Sequence, residues 1–279
     1  MTILAFGRTG QVATELSYLP NVMCFGRDDA DLTDPVACAK LVETHRPRAV
    51  INAAAYTNVD RAEVEEDIAH LVNAEAPKAI AQACADIDIP FVHISTDYVF
   101  DGSGHDPWPP DARPFPLNTY GRTKLSGENA ISEVGGRYVI LRTSWVFSPN
   151  GENFVKSMLR LGATRDELRI VADQVGGPTP ARDIALACHT IAKELMVSPG
   201  KAGVYHLSGT PDCSRADFAR EIFTIAQMPC DVEAILTCEF PTPADRPKNS
   251  RLDCGSLEQR FGISRPNWHS YLQAQLTEC

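Results

Sequence analysis

A glycine turn that follows a short apolar strand and opens a helix leaves a chain few folds to choose from. Thr2 to Phe6 reads as that strand, and Gly7-Arg8-Thr9-Gly10-Gln11-Val12-Ala13 as the turn. An apolar-periodic segment through Leu19 reads as the helix. Gly-x-x-Gly-x-x-Ala is a variant of the dinucleotide fingerprint, with Ala13 small enough for close helix–strand packing. Gly7 and Gly10 let backbone N–H groups approach a pyrophosphate at the start of the helix.

The same rhythm continues downstream. Val22 to Phe25 predicts strand two, Asp31-Leu32-Thr33-Asp34-Pro35 caps a helix to about His45 with Pro at its first position, and Ala49 to Asn52 predicts strand three. A long helical region is expected from about Val59 to Ile87, then a strand from Phe91 to Thr96 and another from Tyr138 to Leu141. Val204 to Leu207 is expected to return to the same sheet. Strands alternating with helices imply right-handed crossovers and an α/β fold: a doubly wound parallel sheet of Rossmann type with a smaller C-terminal substrate lobe. Residues 1–150 with about 172–208 are assigned to the dinucleotide-binding domain, and 151–171 with 209–279 to the lobe.

Chemistry concentrates between Ser95 and Lys124. Thr96 puts a hydroxyl at a strand's C-terminal edge, where open α/β sheets bind ligands. After a Pro-rich loop, Thr119 is placed to cap a helix whose first turns carry Tyr120 and Lys124 on one face. A lysine ammonium beside a phenol favours the phenolate, so Tyr120 is expected below its ordinary pKa of about 10, as a proton donor or acceptor near neutral pH. Alone, the Tyr-x-x-x-Lys spacing is weak evidence in a chain with seven tyrosines. Its order after the glycine turn and the strand-end hydroxyl strengthens it.

Composition narrows the ligand. A net charge of −10 argues against a nucleic-acid surface, whereas a small anion held by local cations fits. Gly26-Arg27 stands where an acid would read ribose hydroxyls. Arg27, with Arg8, fits a 2′-phosphate instead, although Asp28 and Asp29 lie beside it. Arg246-Pro247-Lys248-Asn249-Ser250-Arg251 puts three cations in six residues, as a solvated run or an anion-binding loop. The nine scattered cysteines include no Cys-x-x-Cys and read as packed, reduced thiols. No apolar run approaches the ~18 residues of a membrane helix, and the first strand begins too early for a secretion signal. A cytoplasmic protein is expected.

These motifs together resemble the dTDP-4-dehydrorhamnose reductases, a family of extended short-chain dehydrogenases/reductases. They are GRTGQVA (7–13), DLTDP (31–35), VINAAAYTNVDRAE (50–63), STDYVFDG (95–102), YGRTK (120–124), LRTSWVF (141–147), DQVGGPT (173–179) and RPKNSRLD (246–253). The resemblance implies hydride transfer from NADPH, with NADH possible, to the C4 ketone of a dTDP-6-deoxy-4-hexulose. Thr96 and Tyr120 would hold the ketone oxygen, and Lys124 the nicotinamide ribose. Gly7, Gly10, Gln11 and Val12 would follow the pyrophosphate, Arg27, Asp31 and Leu32 the adenosine end, and Ala55, Tyr56 and Thr57 the middle of the cofactor. Asp97, Trp145, Arg246 and Asn249 would face the substrate.

Some relatives dimerise around Mg²⁺. Glu15 matches one acidic position, but Arg182 replaces another beside Asp183, so no metal dependence is expected, in a monomer or homodimer. Two other readings stay open: a nucleotide-sugar dehydratase or epimerase on the same fold, and a non-catalytic NADP-binding regulatory subunit.

Overall fold

The computed structural model describes residues 2–277; Cys279 lies outside them, and the other eight cysteines are free thiols. The first half runs β1 (Ile3–Phe6), α1 (Gln11–Ser17), β2 (Val22–Phe25), α2 (Pro35–His45) and β3 (Ala49–Asn52). The expected single helix after β3 is broken into α3 (Val59–Ala62), α4 (Glu66–His70), a π-helical turn at Leu71–Glu75, and α5 (Ala76–Asp86). Pro77 supplies the reason. It has no N–H for the Asn73 carbonyl one turn earlier and its ring crowds that oxygen, so the helix widens there. Then follow β4 (Phe91–Thr96), α6 (Thr119–Val134) and β5 (Tyr138–Thr143). Gly127 of α6 lies over the Asn73 carbonyl, where a Cβ would stand 2.1 Å from the oxygen.

The second half is more broken. It contains β6 (Val146–Phe147), α7 (Phe154–Gly162), β7 (Glu167–Val171), β8 (Val175–Gly176), β9 (Thr179–Pro180) and α8 (Ala181–Val197). After these come β10 (Gly203–Leu207), β11 (Cys213–Ser214), α9 (Arg215–Ile225), β12 (Asp231–Ile235), β13 (Asn249–Ser250), α10 (Gly255–Phe261) and α11 (Trp268–Thr277).

The main sheet has the order β2-β1-β3-β4-β5-β10, with every pair parallel. Strand alternation sorts its two faces. Ile3 and Ala5 of β1 pack with Leu16 of α1 and Ile184 and Ile191 of α8. Leu4 and Phe6 pack on the other face with Val42, Ile80 and Ile131 from α2, α5 and α6. Since β1 lies between β2 and β3, the connections leave it in opposite directions. That places a crevice at the C-terminal ends of β1 and β3.

A separate apolar cluster joins Phe147, Val155, Leu168, Phe218, Ile222, Trp268 and Leu272. It packs α7, α9 and α11 around the parallel pair β7–β12, with Phe218 edge-on to Trp268 at 5.1 Å.

Candidate active site

One cleft of about 930 Å³ runs from the Gly7 turn across the strand ends to α9. Gly7 has φ +116°, and a Cβ there would meet Ala13 Cβ at 3.0 Å, so glycine and a small neighbour are both needed for this turn. Gly7, Gly10, Gln11 and Val12 line its start, Arg27, Asp31 and Leu32 one wall, and Ala55 and Thr57 the middle. Thr96, Asp97, Tyr120, Lys124 and Trp145 line the remainder. The cradle is shaped for a dinucleotide: a glycine turn, then the small side chains Ala53, Ala54 and Ala55. The buried hydroxyl of Thr143 lines it without a hydrogen-bond partner.

Three expected residues point elsewhere. Tyr56 does not line the cleft; its phenol donates to Glu65 Oε2 at 2.6 Å while Asn73 binds its backbone. Arg246 forms a two-pronged pair with Asp60 (2.8 and 2.7 Å). Asn249 is buried and donates to the Ser103 and Asp106 carbonyls, stapling the Pro-rich loop. Lys248 pairs with Asp173 and Arg251 with Asn249, so the basic run is internally satisfied in an acidic chain. On the wall that Arg27 lines, the Arg8 guanidinium pairs with Asp29, and the exposed Arg27 lies 3.4 Å from Asp31.

The helix bearing the Tyr/Lys pair is capped by Asn118 rather than Thr119: Asn118 Oδ1 accepts the Gly121 N–H at 2.8 Å. Gly121 is required, because a Cβ would stand 2.2 Å from the Tyr98 carbonyl. The Tyr120 ring sits edge-on to Tyr98, with centroids 5.6 Å apart. Its pKa corrects the expectation. Burial pushes the phenol above its ordinary value, with the Thr96 hydroxyl pulling the other way. Lys124 exerts no such pull here: its Nζ donates to the Ile94 carbonyl at 2.7 Å and lies 3.0 Å from His93 Nε2. Burial lowers Lys124 to about 8, against the nearby Glu128 charge.

Asp97 is buried, with Oδ1 accepting the Thr96 hydroxyl at 3.1 Å and Oδ2 unpartnered. Burial raises it to about 6, against the pull of Ser250, Thr96 and Arg215 among others. Between an ordinary aspartate pKa near 4 and about 6, the folded chain keeps a proton that the unfolded chain has released. Stability therefore falls as pH rises through that window, by up to about 3 kcal/mol. Asp97→Asn is expected to be more stable than the parent at pH 7 in urea unfolding, with the gap closing toward pH 4. Equal pH slopes for the two proteins would contradict this.

Sequence reasoning missed Arg215, whose guanidinium lies 3.6 Å from the centre of the Trp145 ring and lines the cleft. Among the described residues its side chain makes no hydrogen bond or ion pair. Its signal was an arginine in the first turn of a helix, where the dipole disfavours a cation. His93 was missed too, though a histidine inside the apolar run Phe91–Ile94 is unusual. Among the described residues, no three His, Cys, Asp or Glu side chains gather as a metal site. Glu15 is raised by burial against the Arg182 charge.

Comparison with known proteins follows the same lines. Residues 1–279 match the family model for the RmlD substrate binding domain. The dTDP-4-dehydrorhamnose reductase of Sinorhizobium fredii is 42% identical over 278 residues, covering 96% of this chain and 94% of that protein. The crystal structure of a dTDP-4-dehydrorhamnose reductase from Clostridium acetobutylicum superposes with TM-score 0.92 at 37% identity, covering 100% of this chain and 99% of that one. The Bacillus anthracis dTDP-4-dehydrorhamnose reductase in complex with NADP gives 0.91 at 34% identity, with both chains covered completely.

Proposed function

The chain belongs to the dTDP-4-dehydrorhamnose reductase family, and we propose that it reduces the C4 ketone of a dTDP-6-deoxy-4-hexulose to give dTDP-L-rhamnose. The observation that carries this reading is the convergence of Thr96, Tyr120 and Lys124 on a cleft that begins at the Gly7 turn. Bound NADPH supplies the hydride. Tyr120 gives its phenolic proton to the oxygen that becomes the new hydroxyl. Thr96 turns its hydroxyl from Asp97 Oδ1 to hold the same oxygen. Lys124 moves to the ribose hydroxyls, where its ammonium stabilises the phenolate left on Tyr120.

The far end of the cleft suits the sugar nucleotide. Trp145, with Arg215 against its ring, offers a flat apolar wall and an unpaired guanidinium for the diphosphate. Arg215 thus takes the anion-binding role expected of Arg246. Residues 151–171 with 209–279 would carry the sugar nucleotide, and 1–150 with about 172–208 the cofactor. No helix among the described residues is long and apolar enough to cross a membrane, and a cytoplasmic monomer or homodimer acting on small molecules is the reading we adopt.

Dehydration is disfavoured by one dipeptide. A 4,6-dehydratase of this fold carries Asp-Glu after its threonine, the two carboxyl groups that elimination needs. Here the pair is Asp97-Tyr98, and burial raises the Tyr98 phenol, leaving it protonated at neutral pH. The test offers dTDP-glucose and, separately, dTDP-4-keto-6-deoxy-sugars with NADPH. Oxidation of NADPH with only the keto-sugars supports the reductase; a 4-keto-6-deoxy product from dTDP-glucose refutes it.

Cofactor choice yields a second test. Arg27 is 79% exposed at the adenosine end, 3.4 Å from Asp31, its one ion pair among the described residues. Arg27→Ala is expected to weaken NADPH several-fold more than NADH, as read from KM for each. Equal losses would remove Arg27 from 2′-phosphate recognition.

A further inference from the structure

The proposed reduction leaves the buried histidine of β4 without a task. His93 is fully buried in β4, and its neighbours determine where its proton lies. Asn52 Oδ1 accepts the Ala54 N–H at 3.1 Å, which orients the amide so that Nδ2 is the atom 3.1 Å from His93 Nδ1. An amide NH₂ only donates, so Nδ1 is the acceptor and the proton of the neutral ring stands on Nε2. That Nε2 lies 3.0 Å from Lys124 Nζ. An ammonium has three N–H groups and no lone pair, so it has nothing to offer Nε2–H. A neutral amine does: it accepts from Nε2–H while donating to the Ile94 carbonyl at 2.7 Å. An imidazolium is no remedy, because Nδ1–H would then face the Asn52 NH₂.

We propose that His93 is a positioning residue that, oriented by Asn52, favours the neutral amine of Lys124 in the cofactor-free cleft, so that at mildly alkaline pH Lys124 takes up a solvent proton when it leaves His93 for the cofactor ribose. This rests on the reductase reading. The charged groups around Lys124 leave the arrangement intact. Glu128, one turn along α6, is committed to Arg142 of β5 and Ser95 of β4. Tyr120 lies one turn earlier and is kept protonated by burial, and Asp97 lies beyond the end of β4 beside Thr96. On the π-turn packed against α6, Glu75 pairs with His70. Burial lowers His93 and brings Lys124 down to about 8, in keeping with a pair that becomes neutral at mildly alkaline pH.

The proton balance of the reaction closes through this contact. Each turnover consumes one proton at the new hydroxyl. Tyr120 gives it, breaking its O–H bond. The Lys124 ammonium then restores the Tyr120 proton and becomes the neutral amine that His93 receives. At mildly alkaline pH, proton uptake from solvent thus falls at cofactor binding, ahead of the chemical step.

The test is calorimetric titration of the whole chain with NADP⁺ at pH 8.5, in two buffers of different ionisation enthalpy. The 2′-phosphate is already fully ionised at that pH and adds nothing. With Lys124 at about 8 in the free chain and near its ordinary ~10.4 on the ribose, uptake should be roughly 0.7 proton per site. Asn52→Asp reverses the ring: its carboxylate accepts from Nδ1–H, and Nε2 becomes an acceptor for the ammonium. Uptake should then fall below about 0.2 proton with NADP⁺ still bound, whereas a purely structural His93 would leave it unchanged. Wild-type uptake near zero, or wild-type uptake in Asn52→Asp, overturns the proposal. Should that variant not fold, the wild-type series decides: uptake rising from pH 7 to 8.5 supports it, and a flat series overturns it. Failure of the wild type to bind NADP⁺ at all would overturn the reductase reading and this inference with it.

Discussion

Tyr120→Phe is expected to lower turnover at least ~100-fold while leaving NADPH affinity within about twofold. The ring stays: it packs edge-on against Tyr98, and Phe preserves that contact. The loss is confined to the hydroxyl, which burial keeps protonated. A protonated phenol is the state that ketone reduction requires, so the raised pKa keeps the donor loaded until the Lys124 ammonium arrives beside it. Thr96 alone cannot substitute, since its hydroxyl is far too weak an acid at neutral pH to give up its proton. Single-turnover measurement of NADPH oxidation separates this from binding, and fluorescence titration gives the affinity. A Phe variant with near-normal turnover would remove Tyr120 from the chemistry.

How much of this was legible in the sequence depends on how local each determinant is. β1, the Gly7 turn and α1 follow from one contiguous stretch, because strand pattern, turn glycine and helix period are all short-range properties. The Asp34 cap was legible for the same reason, and its side chain accepts the Ala37 N–H at 3.0 Å. Return of β10 to the sheet beside β5 followed from an apolar run after a long helix. The break at Leu71–Glu75 was missed because the apolar spacing carries through it. Pro77 is the signal of the break, hidden inside a helical period.

In the site, positions were legible and directions were not. Thr96, Tyr120 and Lys124 do share one cleft, since a strand end and one helix face are sequence-local facts. Where Lys124 points depends on His93, 31 residues away, and on Asn52 at the end of a neighbouring strand. The resemblance and the local run of cations point Arg246 at the substrate, but Asp60 claims it across 186 residues. A charge run shows how many cations exist, never which of them already have a carboxylate. Arg215 shows the converse: a single arginine, unremarked by composition, lies over the Trp145 ring and makes no side-chain hydrogen bond or ion pair among the described residues.

Removing Glu128 is expected to cost about 3–5 kcal/mol of folding stability, the largest stability effect we anticipate from a single substitution in this chain. Its carboxylate meets Arg142 at 2.6 Å, with both side chains only 4% exposed, and also accepts the Ser95 hydroxyl. Glu128→Leu leaves a guanidinium in the core with the Pro110 carbonyl, the His206 ring and the Phe100 face beside it but no carboxylate to pair with. An uncompensated buried cation is costly, whereas replacing both charges with apolar groups removes the desolvation cost along with the attraction. The double variant Glu128→Leu/Arg142→Met should therefore be more stable than the sum of the single effects implies, by at least 1 kcal/mol. Urea unfolding of the four proteins measures this directly. The pair also ties α6 to β4 and β5, and Ser95 adjoins Thr96, so the double variant should lose turnover even where stability returns. A single variant costing under about 1 kcal/mol would mean that water reaches Arg142 and the pair is not buried in solution.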